Sequence, residues 1–169
     1  MDEVLRKIKV LAVDVDGTMT DGKIIVDDNG VESKNFDVQD GFGLVLARKS
    51  GLKVAMISSR FCKASAHRAK DLGVDLLCNG VYPKTAAYEK MLKDFNAGDD
   101  AVCFVGDDVA DLAVLKRAGF AVAVANAVFE IKQVADYVTK RRGGEGAVRE
   151  VVELILKAQG KWGPELYGH

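Results

Sequence analysis

Short apolar runs rich in β-branched residues alternate along this chain with segments of helical periodicity. The runs are Val10 to Val15, Lys53 to Ser58, Val74 to Cys78, Ala101 to Val105 and Phe120 to Val124, with a short Tyr137-Val138 pair beyond them. Helical patterns fall between, near Phe42 to Lys49, Cys62 to Leu72, Lys84 to Phe95, Val109 to Ala118 and Phe129 to Ala135, with a last one from Gly146 to Ala158. Such alternation predicts parallel strands, because a parallel connection must carry the chain back across the sheet and a helix does this compactly. The fold class expected is α/β: a doubly wound, Rossmann-like parallel sheet of about five to six strands with helices on both faces. Gly51, Gly73, Gly98 and Gly119 stand where helix ends accept a left-handed residue, and Pro83 stands where a first turn accepts proline.

One segment breaks the rhythm. After the first strand, GKIIVDDNGVESKNF holds two β-like runs joined at Asn29-Gly30, a strong hairpin signal, before any helix appears. This is a hairpin insertion at about residues 22–37, too short to fold as a cap domain. An isolated ribbon is barely stable in water, so Ile24, Val26, Val31 and Phe36 need a surface to pack on, either their own sheet or another subunit.

Composition narrows the class. The 169 residues, 49% hydrophobic and 29% charged, suit a single domain over 1–169 with a real core and a tail at about 159–169. A net charge of −1 offers no basic field for a nucleic-acid backbone, so no DNA or RNA partner is expected. Asp14 interrupts the first apolar stretch far short of a membrane span, so no membrane association is expected. Cys62, Cys78 and Cys103 are odd in number and form no CxxC pair; they read as buried thiols in a reducing cytoplasm.

The polar residues at strand ends carry the chemistry, because open α/β sheets bind ligands outside the carboxyl ends of their strands. Asp14, Asp16, Gly17 and Thr18 close the first run, and Ser58, Ser59 and Arg60 the second. Lys84 follows the third, and Gly106, Asp107, Asp108 and Asp111 follow the fourth. With two histidines in the chain, His67 on a polar helix and His169 at the terminus, histidine acid–base chemistry is improbable. Carboxylates packed together repel unless a cation intervenes, and hard oxygen ligands in small number suit Mg2+ completed by phosphate oxygens. In that setting Asp14 is the expected nucleophile, and Asp16 the acid and base. Ser58 and Lys84 would hold phosphoryl oxygens, aided by amides around Gly17. Asp14, Asp16 and Asp107 would hold the metal, with Asp108 and Asp111 orienting the ligands and Lys84.

In order, DVDGT, Ser58, Lys84 and GDDVAD resemble the four motifs of the haloacid-dehalogenase-type phosphatases. DVDGTMTDGKI, FDVQDGFG, the hairpin and GGEGAVREV are similar to a capless subgroup of that family, across essentially the whole chain. The resemblance implies a Mg2+-dependent phosphomonoesterase that forms an aspartyl-phosphate. Its implied substrate is a small phosphorylated sugar acid, foremost 3-deoxy-D-manno-octulosonate 8-phosphate, with a nonulosonate 9-phosphate as the alternative. It also implies a cytoplasmic homotetramer whose hairpins pack together, serving lipopolysaccharide synthesis. Arg60 and Asp40 would then recognise the rest of the substrate. Two departures stand out: Ser59 occupies a place where relatives commonly have glycine, and Gln39 one where they often have arginine.

Plainer roles compete for several residues. Ser58 could cap a helix, Lys84 could be a solvated lysine, and Asp111 could sit in a first turn for its dipole. Asp21, Asp27 and Asp28 read as turn formers. Gly143, Gly144 and Gly146 could form an anion nest or a flexible entry to the last helix. The tail residues Trp162, Leu166 and Tyr167 could dock on a neighbouring subunit or remain disordered. A receiver-type signalling module uses similar residues, but there the lysine follows the fifth strand rather than the third.

Overall fold

The computed structural model describes Met1 to Tyr167; His169 lies outside the described residues. The main sheet has six parallel strands: β1 (Val10–Val13), β4 (Lys53–Ser58), β5 (Leu76–Asn79), β6 (Val102–Gly106), β7 (Phe120–Ala123) and β8 (Tyr137–Val138). A separate antiparallel ribbon consists of β2 (Ile25–Val26) and β3 (Glu32–Ser33). The helices are α1 (Asp2–Lys7), α2 (Val38–Lys49), α3 (Lys63–Leu72), α4 (Lys84–Phe95), α5 (Leu112–Leu115), α6 (Phe129–Val134), α7 (Ala147–Ala158) and α8 (Pro164–Tyr167).

The spatial order β5-β4-β1-β6-β7-β8 explains where a site can form. From β1 the chain builds outward through β4 and β5, then returns to the other side of β1 and builds outward through β6, β7 and β8. The reversal falls between β1 and β6, whose register pairs Val13 with Val105. Helices diverge from the sheet at such a point and leave a crevice beyond the strand ends. Strands β1, β6 and β7 are buried along their whole length, as expected for parallel strands covered on both faces. Each fully buried Leu, Ile or Val there contributes roughly 1.5–3 kcal/mol through burial. The helix α7 packs against both α1 and α2, while α4, α5 and α6 pack in sequence elsewhere.

Several elements differ from the sequence expectation for local reasons. Strand β1 leaves the ladder after Val13 because the chain must turn at Gly17, whose φ of +90° favours glycine. Helix α2 starts at Val38, earlier than Phe42, because Asp37 caps it by accepting from the Asp40 amide. The expected helix from Val109 to Ala118 is a 3-10 turn (Val109–Asp111) followed by one α-turn. A reciprocal capping box between Asp108 and Asp111 tightens its start. Pro83 is the residue before α4 rather than its first.

The hairpin forms where expected, with Asp27 organising its turn by accepting from the Asn29 and Val31 amides. Asp21 likewise accepts from the Lys23 amide. The hairpin strands do not join the main sheet, and Ile24, Ile25, Val26 and Val31 are exposed in the single chain. Phe36 packs against the core, with the Arg68 guanidinium over its ring. The tail packs on its own chain: Leu166 is buried, its carbonyl accepts from Lys49, and Trp162 lies beneath the cations of Arg149 and Lys157.

Candidate active site

The first two site elements are fixed by neighbouring strands. Asp14 leaves β1 with its amide still bonded to the Val105 carbonyl, and Asp107 leaves β6 immediately after Gly106. The turn after Asp16 is stabilised by Thr20 Oγ1, which accepts from the Gly17 and Gly22 amides. A β-carbon at Gly17 would stand 2.0 Å from Asp107 Oδ2, so glycine is what permits the two loops to approach. Thr18 Oγ1 reaches Asp107 Oδ1 at 3.4 Å. The Gly17 amide is thus engaged by Thr20.

Lys84, at the start of α4, is buried between two carboxylates. Its Nζ donates to Asp14 Oδ1, and to Asp111 Oδ1 at 2.6 Å. The other oxygen of Asp111 accepts from the Asp107 amide at 3.1 Å. Asp111 is therefore no surface residue; it orients Lys84 and the Asp107 loop together. Asp108, expected to orient ligands too, is exposed and caps the turn by accepting from the Val109 amide.

The electrostatics follow from this crowding. Burial pushes the Asp14 carboxyl well above its usual range, Lys84 opposes the shift, and Asp111 and Asp107 reinforce it. Burial, then the Asp111 charge, raises Asp107 to about 7. Burial alone would lower the Lys84 ammonium, but Asp14 and Asp111 overcome it and raise the group. Three carboxyls share the single Lys84 ammonium, and a divalent cation would supply the further positive charge.

Among the described residues one carboxylate group is close enough to hold such an ion: Asp14, Asp107 and Asp111 each place an oxygen within 4.8 Å of the others. The donor set is all oxygen and fits Mg2+. Asp111 is already committed to Lys84 and a backbone amide, which leaves Asp14 and Asp107 as the side chains free to bind. The Asp16 side chain lies outside this group, and its Oδ1 accepts from Lys34 on the hairpin.

A cavity of about 140 Å³ is lined by Asp14, Asp16, Ser59, Arg60, Lys84, Asp107, Asp108 and Asp111, along with Ala110. Most of the predicted site converges there. Ser58 does not line it; its hydroxyl is buried, donates to the Arg60 carbonyl and shapes the loop, and Cys62 rather than Ser58 precedes α3. Ser59, the departure noted above, lines the cavity with a buried, unpartnered Oγ. Arg60 Nη2 donates to Glu32 of the hairpin at 2.7 Å.

Asp40, expected to recognise the substrate, does not line this cavity. It is fully buried and accepts from the Gly146 and Arg149 amides, capping α7, whose N-cap glycine has no side chain to do so. Gln39 accepts from Arg141 at 2.8 Å. Nor do Gly143, Gly144 and Gly146 form an open nest: their amides bond to Asn126, to the Thr18 carbonyl and to Asp40. A β-carbon at Gly143 would stand 1.8 Å from the Gly17 carbonyl oxygen, so this loop needs glycine to back the Asp16 turn. Sequence reasoning missed Lys34 and Glu32. Their i, i+2 spacing on a β-ribbon puts both on one face, which was the available signal.

The sequence profile of the haloacid dehalogenase-like hydrolases matches residues 60–151, and a curated relative aligns over 91% of the chain. The chain belongs to the haloacid dehalogenase-like hydrolase family. Among curated members of this family, it is 42% identical to the 3-deoxy-D-manno-octulosonate 8-phosphate phosphatase KdsC of Escherichia coli K12, covering 91% of this chain and 82% of that protein. Among solved haloacid dehalogenase-like structures, the 3-deoxy-D-manno-octulosonate 8-phosphate phosphatase of Moraxella catarrhalis, in complex with magnesium, phosphate and KDO, superposes with a TM-score of 0.92. It is 40% identical over 94% of this chain and 91% of that one. The cobalt-bound phosphatase from Haemophilus influenzae superposes with a TM-score of 0.91 at 36% identity, covering 94% and 92%.

Proposed function

We propose that this protein is a Mg2+-dependent phosphomonoesterase that hydrolyses 3-deoxy-D-manno-octulosonate 8-phosphate in lipopolysaccharide biosynthesis. The observation that carries the reading is Lys84 held between Asp14 and Asp111 at the β1/β6 reversal, beside Asp107. Likeness to phosphatases of that substrate over nine-tenths of the chain supports the sugar acid.

Each residue then has a task. The Asp14 carboxylate forms a bond to phosphorus as the ester P–O bond breaks, and the departing alkoxide oxygen takes a proton from Asp16. In the second step Asp16 takes a proton from water, the water oxygen bonds to phosphorus, and the Asp14 O–P bond breaks to release phosphate. Lys84, with the Ser59 hydroxyl just past β4, meets the non-bridging oxygens where charge collects. Asp14 and Asp107 would hold the Mg2+, which would offset the carboxylate charge and draw charge from the phosphoryl oxygens. Arg60, at the mouth, faces the rest of the substrate. The exposed apolar hairpin supports a homotetramer in which hairpins pack together, and three free cysteines fit a cytoplasmic location.

A screen of phosphorylated sugars tests the reading. The kcat/KM for the octulosonate 8-phosphate is expected to exceed that for nonulosonate 9-phosphates and hexose phosphates by at least about tenfold. Excess EDTA is expected to silence turnover reversibly. Activity persisting in EDTA, or a better substrate elsewhere in the screen, would overturn the metal or the substrate respectively.

A further inference from the structure

The hairpin does more than project from the sheet: one of its cations is buried in the site. The Lys34 side chain is 2% exposed, and its Nζ donates to Asp16 Oδ1 and lies 3.4 Å from Glu32 Oε1. Glu32 in turn accepts from Arg60 through its other oxygen. A chain of alternating charge thus runs from Asp16 through Lys34 and Glu32 to Arg60, joining the loop after β1, the ribbon and the loop after β4. A buried ammonium is costly unless paired, and Lys34 has two carboxylates to meet that cost.

The two oxygens of Asp16 are treated differently. Oδ1 is taken by Lys34, whereas Oδ2 is buried without a partner, and Asp16 lines the cavity beside Asp14. A carboxyl that must pass a proton to a leaving oxygen needs one oxygen free and a fixed rotamer, because proton transfer demands a defined heavy-atom approach. We propose that Lys34 is a positioning residue: it clamps Asp16 by Oδ1 so that Oδ2 carries the proton to the departing alcohol oxygen. Glu32 holds Lys34 in that place. The docking of the hairpin then governs the acid step, and a ribbon of two-residue strands becomes part of the catalytic apparatus. This inference rests on the phosphomonoesterase reading.

The test uses the Mg2+-loaded enzyme and a series of substituted aryl phosphates whose phenols span pKa values of about 5 to 10. These substrates differ in their need for a general acid and lack the sugar, so recognition of a sugar acid cannot enter. The ratio kcat/KM reports steps through leaving-group departure and excludes the later attack of water. For Lys34→Met, kcat/KM is expected to fall by about thirtyfold for the most basic leaving group and by less than about threefold for the least basic, steepening the dependence on leaving-group pKa. Parallel lines for the variant and the parent would overturn the proposal, since a merely structural loss depresses all substrates alike. If Lys34→Met fails to fold, Glu32→Gln decides: it is expected to steepen the same line by a smaller amount, and an unchanged slope overturns the proposal. Should the parent enzyme turn over no phosphate ester, the underlying phosphomonoesterase reading fails instead.

Discussion

Asp14 and Asp40 are two aspartates withdrawn from water to nearly the same degree, 5% and 0% exposed. Burial is the largest influence on each, pushing Asp14 well up and Asp40 to about 6. What surrounds them differs. Asp14 is surrounded by other ionisable groups, Lys84, Asp111 and Asp107, and lines a cavity. Asp40 meets backbone amides, one for each oxygen, and lines none of the active-site cavity. A buried acid with each oxygen bonded to a backbone amide is a structural plug for a helix end. One whose neighbours are themselves charged stores electrostatic conflict that a cation and a phosphate can relieve. Burial alone therefore does not mark function; the chemistry of the partners does.

The sharpest way to break this comparison is to neutralise each aspartate in turn. Asp14→Asn is expected to lower kcat by at least about a thousandfold, because the amide cannot form the phosphoryl ester. Its thermal midpoint is expected to stay within about 3 °C of the parent, since Lys84 keeps Asp111 as a partner. Steady-state hydrolysis of an aryl phosphate and a calorimetric scan measure the two arms. Appreciable residual turnover would remove Asp14 as the nucleophile.

Asp40→Ala is expected to show the reverse pattern. Two amides at the start of α7 lose their acceptors, which costs about 2 kcal/mol and lowers the midpoint by roughly 4–8 °C. At 25 °C its kcat/KM is expected to remain within about threefold of the parent. A large kinetic loss without a loss of stability would return Asp40 to the substrate-binding group.

The difference between the two aspartates also shows what could be read from the sequence. Strand β4 and helix α4 appear with the bounds their patterns predict, because each has a clean period and a clear stop. The convergence of Asp14, Asp107, Lys84 and Asp111 was legible for a topological reason: a doubly wound sheet brings successive strand ends to one edge. The part Asp40 plays at the start of α7 was not legible, because that partner lies more than a hundred residues away in sequence. The nearby pattern Asp37-Val38-Gln39-Asp40 is a helix start, as the Asp37 cap confirms, and would have placed Asp40 in a first turn. Lys34 and Glu32 were missed because nothing in a local period says how a ribbon folds back over a strand end. Ser59 carried a different lesson: read as a departure from a glycine, it turns out to present the unpartnered hydroxyl at the cavity while Ser58 braces the loop.

The last expected effect concerns pH and isolates the cost that Asp40 imposes while capping α7. Its carboxyl is raised from 3.8 unfolded to about 6 folded, so the folded state holds this proton more tightly than the unfolded chain does. The associated stability is fully present below pH 4, and is lost as pH rises through about 6. Asn at this position has no such titration, so the stability of the parent minus that of Asp40→Asn is expected to fall between pH 4 and pH 7, by roughly 1–3 kcal/mol. Urea unfolding of both proteins at several pH values measures this difference directly, free of contributions from groups the two proteins share. A difference that instead grows with pH would mean that the Gly146 and Arg149 amides stabilise the ionised carboxylate more than burial penalises it. Asp40 would then be a charged helix cap favoured by the α7 dipole, and its contrast with Asp14 would rest on partners alone.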